Sequence, residues 1–301
     1  MTAGLGEAAA FATAFGWAVS AYVHGVVGRM VGAVGVTMLR LPFQLTALGA
    51  VCLLLGEETA VGLPALGLLA LSGLTGFICC DILLYAAMNI IGPQGAILLV
   101  SLSAGFTALL GALFLGELLP AQAVAGIVVT ILGVAAVLTE RTGSTLLPGQ
   151  EPPTGRRLVL GIAAGLSAAI FLSFSFIFLK QAMQQGPTPL WAAFLRLLIA
   201  TVLLWVGGLF RGMSLTAVRN IRQNPRVAKL LLGATAFSSG GIWASSLAMH
   251  HAPAGVAATI IGLQPVVLTF VGAIGNRRRP SARAVTGSLV AFVGTALVCL
   301  R

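Results

Sequence analysis

Leu71-Ser-Gly-Leu-Thr-Gly-Phe-Ile-Cys-Cys-Asp81-Ile-Leu-Leu-Tyr85-Ala-Ala-Met-Asn-Ile-Ile-Gly-Pro93-Gln-Gly95 has a counterpart 160 residues further on, Leu231-Leu-Gly-Ala-Thr-Ala-Phe-Ser-Ser-Gly-Gly241-Ile-Trp-Ala-Ser-Ser-Leu-Ala-Met-His-His-Ala-Pro253-Ala-Gly255. At that offset Gly73 falls on Gly233, Thr75 on Thr235, Phe77 on Phe237, Ile82 on Ile242, Pro93 on Pro253 and Pro120 on Pro280. An offset of 161 lays Gly126-Ile-Val-Val-Thr-Ile-Leu-Gly133 on Gly287-Ser-Leu-Val-Ala-Phe-Val-Gly294, and one of 156 lays Leu39-Arg40-Leu41 on Leu195-Arg196-Leu197. The small changes of offset are differences in loop length. The chain is two copies of one unit.

Both copies are too apolar for water. Of the 301 residues 58% are hydrophobic and 8% charged, against about 25% charged in ordinary soluble domains, and the mean hydropathy is +1.04. Lys229 and Arg277 bracket 47 residues without a charge. Apolar runs of 18 or more residues are read as membrane helices. Cutting at charges, prolines and glycine clusters predicts ten spans, near 6–27, 32–55, 63–88, 93–115, 120–139, 157–180, 189–210, 228–250, 253–275 and 282–300. The expected fold is an all-α integral membrane protein with a first five-helix repeat over 1–140, a linker over 141–156 and a second over 157–301. Five crossings leave the chain on the opposite face, so the second repeat is expected to be inverted. Inverted repeats are a common architecture of secondary transporters, with one site at the repeat interface.

Charge placement predicts the orientation. On the side of the termini stand Glu7, Glu57, Glu58 and Glu117 with only Lys180 and Arg301 as cations; the other side carries thirteen, among them Arg141, Arg211, Arg219, Arg222, Arg226, Lys229, Arg277, Arg278 and Arg279. The positive-inside rule places the basic side in the cytoplasm and both termini outside a multi-pass cell membrane protein. The net charge of +10 is thereby a topology signal, not a nucleic-acid surface, since the arginine runs lack interleaved aromatics. Anionic lipid headgroups are the partners they suit. The N-terminal apolar stretch has no basic flank and reads as a first span, not a cleaved signal. Cys52, Cys79, Cys80 and Cys299 lie in apolar runs without metal spacing. No phosphate-binding GxxxxGK[ST] is present, and no cofactor is expected.

Pro93-Gln-Gly-Ala-Ile-Leu-Leu-Val-Ser101-Leu-Ser103, followed by Ala112-Leu-Phe-Leu-Gly-Glu117-Leu, resembles the fourth span and LGE ending of EamA-type transporters in the drug/metabolite transporter superfamily. Ala252-Pro-Ala-Gly-Val-Ala-Ala, Leu263-Gln-Pro265 and the Gly287/Gly294 span are similar to its second repeat, and Gly32-Ala-Val-Gly-Val-Thr-Met-Leu-Arg-Leu41 to the second-span entry of amino-acid exporters. The resemblance covers essentially the whole chain and implies a carrier of small metabolites. It also implies a cytoplasmic N-terminus and a glutamate where Arg277 aligns with Glu117. The orientation followed here is that of the charges.

Asp81 is the sharpest signal, because an acid deep in a span costs several kcal/mol unless paired, protonated or facing water. Phe77, Asp81 and Tyr85 share one helix face. The acid is a candidate for proton coupling or for holding a cationic amine; the alternative is a structural acid paired with Arg40 or capping a broken helix. Arg40 and Arg196, kept in both copies, suit a shared architectural role, snorkelling or bonding a neighbouring helix. Either could hold a substrate carboxylate, and a pair with Asp81 would suit a zwitterionic amino acid. Gln264-Pro265 and Ser103-Ala104-Gly105 are expected to interrupt equivalent spans, making Ser101, Ser103, Thr259 and Gln264 cavity candidates, with Trp17 and Trp243 beside them; the alternative is bonding across packed helices. His24, near a span end, is expected at the interface, and Glu117 and Arg277 at a gate or helix cap. Gly28/Gly32 and Gly161/Gly165 are expected to let helices approach.

These readings converge on a non-enzymatic secondary carrier working by alternating access, monomeric or homodimeric. It would export a small metabolite such as an amino acid, with protons exchanged through Asp81. An intramembrane lipid-handling enzyme or lipid-binding factor is the alternative, and it would require clustered acids, histidines or metal ligands.

Overall fold

The computed structural model describes residues 4–56, 60–138, 153–275 and 282–299. Glu57, Glu58, Arg141, Arg277 to Arg279, Arg301 and most of the 141–156 linker lie outside them, and with them the expected role of Arg277. The described elements are α1 (Leu5–Leu55), α2 (Leu63–Gly73), a π-helical stretch (Leu74–Cys80), α3 (Asp81–Ser101), α4 (Ser103–Leu115), α5 (Ala121–Leu138), α6 (Gly155–Met183), α7 (Pro189–Phe210), α8 (Met213–Gln223), α9 (Pro225–His251), α10 (Ala254–Ile261), α11 (Gln264–Gly275) and α12 (Ala282–Cys299). Six helical stretches among the described residues, Leu5–Leu55, Leu63–Pro93, Gly95–Leu115, Gly155–Met183, Pro189–Phe210 and Pro225–His251, are long and apolar enough to cross a membrane, and three shorter ones are apolar.

The 51 residues of α1 would measure about 75 Å as a straight rod, against a hydrocarbon core of about 30 Å. The rod does not exist, because Gly32 takes φ 78° and ψ 165°. A Cβ placed on Gly28 would lie 3.6 Å from Val36, eight residues ahead, so the chain doubles back there. Gly92 adopts nearly the same conformation, φ 82° and ψ 160°, ahead of Pro93. This left-handed region is open to glycine at little cost. The first turn corrects two expectations: Gly32 is a turn residue, not a packing residue, and the first span, expected to end near 27, runs on to the reversal. Two further breaks, at Leu102 between α3 and α4 and at Gly262–Leu263 between α10 and α11, sit 160 residues apart. They lie just before Ser103 and Gln264, the interruptions expected from the sequence.

Small residues decide how the elements meet. A Cβ on Gly126 of α5 would come within 2.7 Å of the carbonyl oxygen of Gly294 in α12, and one on Gly133 within 2.8 Å of that of Gly287. The two helices therefore pack backbone to backbone, and the order 126 with 294, 133 with 287 makes them antiparallel. Thr130, between the two glycines, bonds the Gly126 carbonyl at 2.8 Å. The first half of α1 likewise runs antiparallel to α9, Gly6 against Ala252 and Gly16 against Phe237. In the second copy α6 repeats the arrangement, Gly161 against Ile90 and Ile91, and Ser175 bonded to the Ser72 carbonyl at 2.8 Å. The first span of each copy thus rides on the third span of the other.

The Arg-rich connection after α7, expected as a loop, contains the short helix α8, which turns Ser214 and Ala217 inward and leaves Leu215 and Val218 exposed.

Candidate functional site

A central cavity of about 80 Å³ is lined by residues from α1, the π-helical stretch, α3, α6, α7, α9 and α11. Helices α5 and α12 contribute none. Trp17, Phe77, Asp81, Tyr85, Gln264, Arg40 and Arg196 all line it. The π-helical stretch Leu74–Cys80 runs directly into Asp81; such widened turns are rare and gather at functional sites.

Arg40 Nη2 donates to Asp81 Oδ2 in a buried ion pair, and its guanidinium lies over the Tyr85 ring, 5.5 Å from the centroid. The pairing fits the alternative in which Asp81 meets Arg40, and leaves room for a transport role because the pair faces the cavity. Neither arginine snorkels: Arg40 is 7% and Arg196 2% exposed. Too far from water to reach it with a flexible stem, each turns inward to the polar groups at the cavity. Arg196 donates to Ser72 Oγ and to Ser245 Oγ, both at 3.3 Å, and stacks on Phe77 at 4.8 Å. Hydroxyls, not helix carbonyls, hold it.

His24 is the clearest departure. It is 3% exposed, lines the cavity and meets the Tyr85 hydroxyl through Nδ1 at 3.2 Å. The helix continues beyond it to Gly32, so it occupies a buried turn and not an interface. Ser20, Ser175 and Ser238 also line the cavity. Among so many serines and glycines in apolar helices, their type carries no signal; only their helical phase relative to Trp17, Phe176 and Ile242 would have marked them.

Ser101 and Ser103 border a smaller void of about 10 Å³ with Gln264, next to the main cavity. Thr259 and Trp243 stand away from both. Thr259 is fully buried and donates to its own helix at the Gly255 carbonyl, 2.7 Å away. Trp243 packs into an apolar cluster with Tyr85 and Leu268. One residue from cavity-lining Ile242, it is rotated by about 100° around the helix.

At one end of the bundle a second polar group joins the copies. Glu117 Oε1 lies 2.5 Å from Lys180 Nζ, and its Oε2 accepts the Ala254 N–H at 2.7 Å, capping α10. Lys180 also donates to the Ala252 carbonyl at 2.6 Å. Glu117 therefore acts as a helix cap, but Lys180, placed among loop cations by the sequence, is buried and is its partner.

The pattern of the EamA-like transporter family matches this chain twice, over residues 4–139 and 159–300. No curated protein sequence matches it. One solved crystal structure, titled only as that of a protein, superposes with a TM-score of 0.70 over 97% of this chain and 95% of its own at 16% identity. That likeness carries the fold alone. With both halves of the sequence matched and the helices arranged as a multi-pass membrane bundle, the chain belongs to the EamA-like transporter family.

Proposed function

We propose that this protein is a secondary active carrier that exports small metabolites such as amino acids by alternating access, exchanging protons through Asp81. The observation that carries the reading is the central cavity to which both copies contribute, with a buried carboxylate and two buried arginines on mostly apolar walls. Charged groups at such depth are expensive and mark substrate or ion pathways. Asp81 and Arg40 come from one copy and Arg196 and Gln264 from the other, so a rocking motion of the copies would open the polar patch to one side at a time.

The antiparallel α5/α12 contact supports two inverted five-span repeats, over 1–140 and 157–301 about the linker. Residue 126 meets 294 while its repeat mate 287 meets 133, the reciprocal pattern of a two-fold axis. An axis relating antiparallel helices runs across them, hence in the membrane plane. Split at Gly32, α1 supplies two crossings, so the six long and three shorter apolar helices together give ten.

Counterflow in proteoliposomes tests the function. The protein should exchange a labelled amino acid for an unlabelled one without ATP, and silence across an amino-acid panel would remove the proposal.

A further inference from the structure

We propose that Arg196 is the anchor for a carboxylate on the substrate, so that the carrier takes small monocarboxylates with apolar bodies, amino acids among them, and rejects their uncharged and cationic analogues. The inference rests on the reading of the central cavity as the transport site.

The charges at the cavity do not balance. Two guanidinium groups line it and one carboxylate, and that carboxylate is bonded to Arg40. Among the described residues no carboxylate forms an ion pair with Arg196; its donors meet two neutral hydroxyls at 3.3 Å, just beyond the usual range, and its Nε has no partner. A buried cation left with long neutral contacts is costly. The cavity is short of one anion at this residue.

The internal repeat shows what is missing. Arg40 and Arg196 are mates in the two copies, and in the first copy Arg40 is neutralised by Asp81 from the neighbouring span. The mate of Asp81 is Gly241. A side chain there would run into the indole of Trp17, which itself lines the cavity. The second copy thus omits the acid and keeps the arginine beside an aromatic wall. A substrate carboxylate on Arg196 would complete the pair that the first copy builds internally, and a guanidinium fork suits that geometry.

Size limits the rest of the substrate. At roughly 10–15 Å³ for each water-sized group, a cavity of about 80 Å³ takes on the order of six such groups. Trp17, Phe77, Met88, Ile97 and Phe176 offer them an apolar surface.

The test is equilibrium binding of radiolabelled isovalerate to the purified full-length protein, competed by valine, isovaleramide and isopentylamine. Saturable binding displaced by valine but not by the amide or the amine is expected. Arg196→Gln should weaken it at least tenfold, about the loss of one charged hydrogen bond, and Arg196→Lys should restore part of that loss. Equal competition by isovaleramide or isopentylamine, wild-type affinity in Arg196→Gln, or no saturable isovalerate binding overturns the proposal. Should the glutamine variant fail to fold, the competition pattern of the wild type decides alone. Counterflow separates the two readings: isovalerate binding without exchange of any carboxylate removes the carrier function and keeps the anion site, whereas exchange of isopentylamine as fast as valine keeps the carrier and removes the anion site.

Discussion

Asp81 and Arg40 neutralise each other in a place where either alone would be an uncompensated buried charge. Removing one partner of a buried pair typically costs about 3–5 kcal/mol, mostly from stranding the other. Asp81→Ala should therefore lower the thermal stability of the purified protein markedly, and adding Arg40→Met should recover part of the loss. Strict additivity of the two changes in melting experiments would deny the coupling. Asp81→Asn keeps the shape and a hydrogen-bond acceptor but cannot carry a proton. It should retain counterflow while losing uptake driven by a pH gradient; undiminished gradient-driven uptake in this variant would sink the coupling role. Asp81, Arg40 and Arg196 were legible in the sequence because ionised side chains are scarce in so apolar a chain. His24 and the cavity serines were not, since a histidine or serine inside a span satisfies itself locally or reaches a cavity with the same residue type, and only packing separates the cases. Thr259 shows the local solution, with its hydroxyl turned back on Gly255.

Elements here are joined by small residues and by a few polar clasps, and the two respond differently to substitution. Gly126 and Gly133 face backbone atoms of α12 that cannot move aside, so Gly126→Leu should separate α5 from α12 at the upper end of the about 1–3 kcal/mol that overpacking costs. Gly233→Ala, with nothing within 4 Å of its Cβ, should leave the melting temperature unchanged or slightly raised; equal damage from both would contradict the close approach. The clasp of Glu117, Lys180 and the α9–α10 turn ties α4 to α6 and caps α10. Glu117→Gln keeps a cap acceptor and loses the ion pair, whereas Glu117→Ala loses both. The alanine variant should be the less stable of the two in thermal denaturation, and indistinguishable curves would confine the contribution to the ion pair. Span limits were readable from hydropathy, and the Leu102 and Gly262 breaks from the prolines and polar residues near them. The span boundary expected between residues 27 and 32 falls at the first turn, but the part of Gly32 in it was not readable, because glycine four residues after glycine reads equally as a packing stripe, and neither was α8, whose arginines hide a short apolar face.

At the scale of the molecule the two copies leave one question that charge and geometry answer together. If each copy crosses the membrane five times, a point in the linker between them lies opposite the C-terminus. The positive-inside rule predicts the loops carrying thirteen of the cations on the cytoplasmic side, which would then include the linker and the α8 region with Arg219, Arg222 and Arg226. The acid-rich side includes the Glu117 and Lys180 clasp, whose partners saturate each other and leave little charge to oppose translocation. A reporter inserted in the linker, within 141–152, should be active only as a cytoplasmic probe, and the same reporter at the C-terminus only as an external one. Opposite sides with the polarity reversed would keep the inverted repeat and overturn the charge argument, in line with the N-terminal orientation that the family resemblance implies. Both reporters on one side would require an even number of crossings between them. That outcome could not be reconciled with two five-span units, and it would leave the reciprocal contacts of Gly126, Gly133, Gly287 and Gly294 without the axis that explains them.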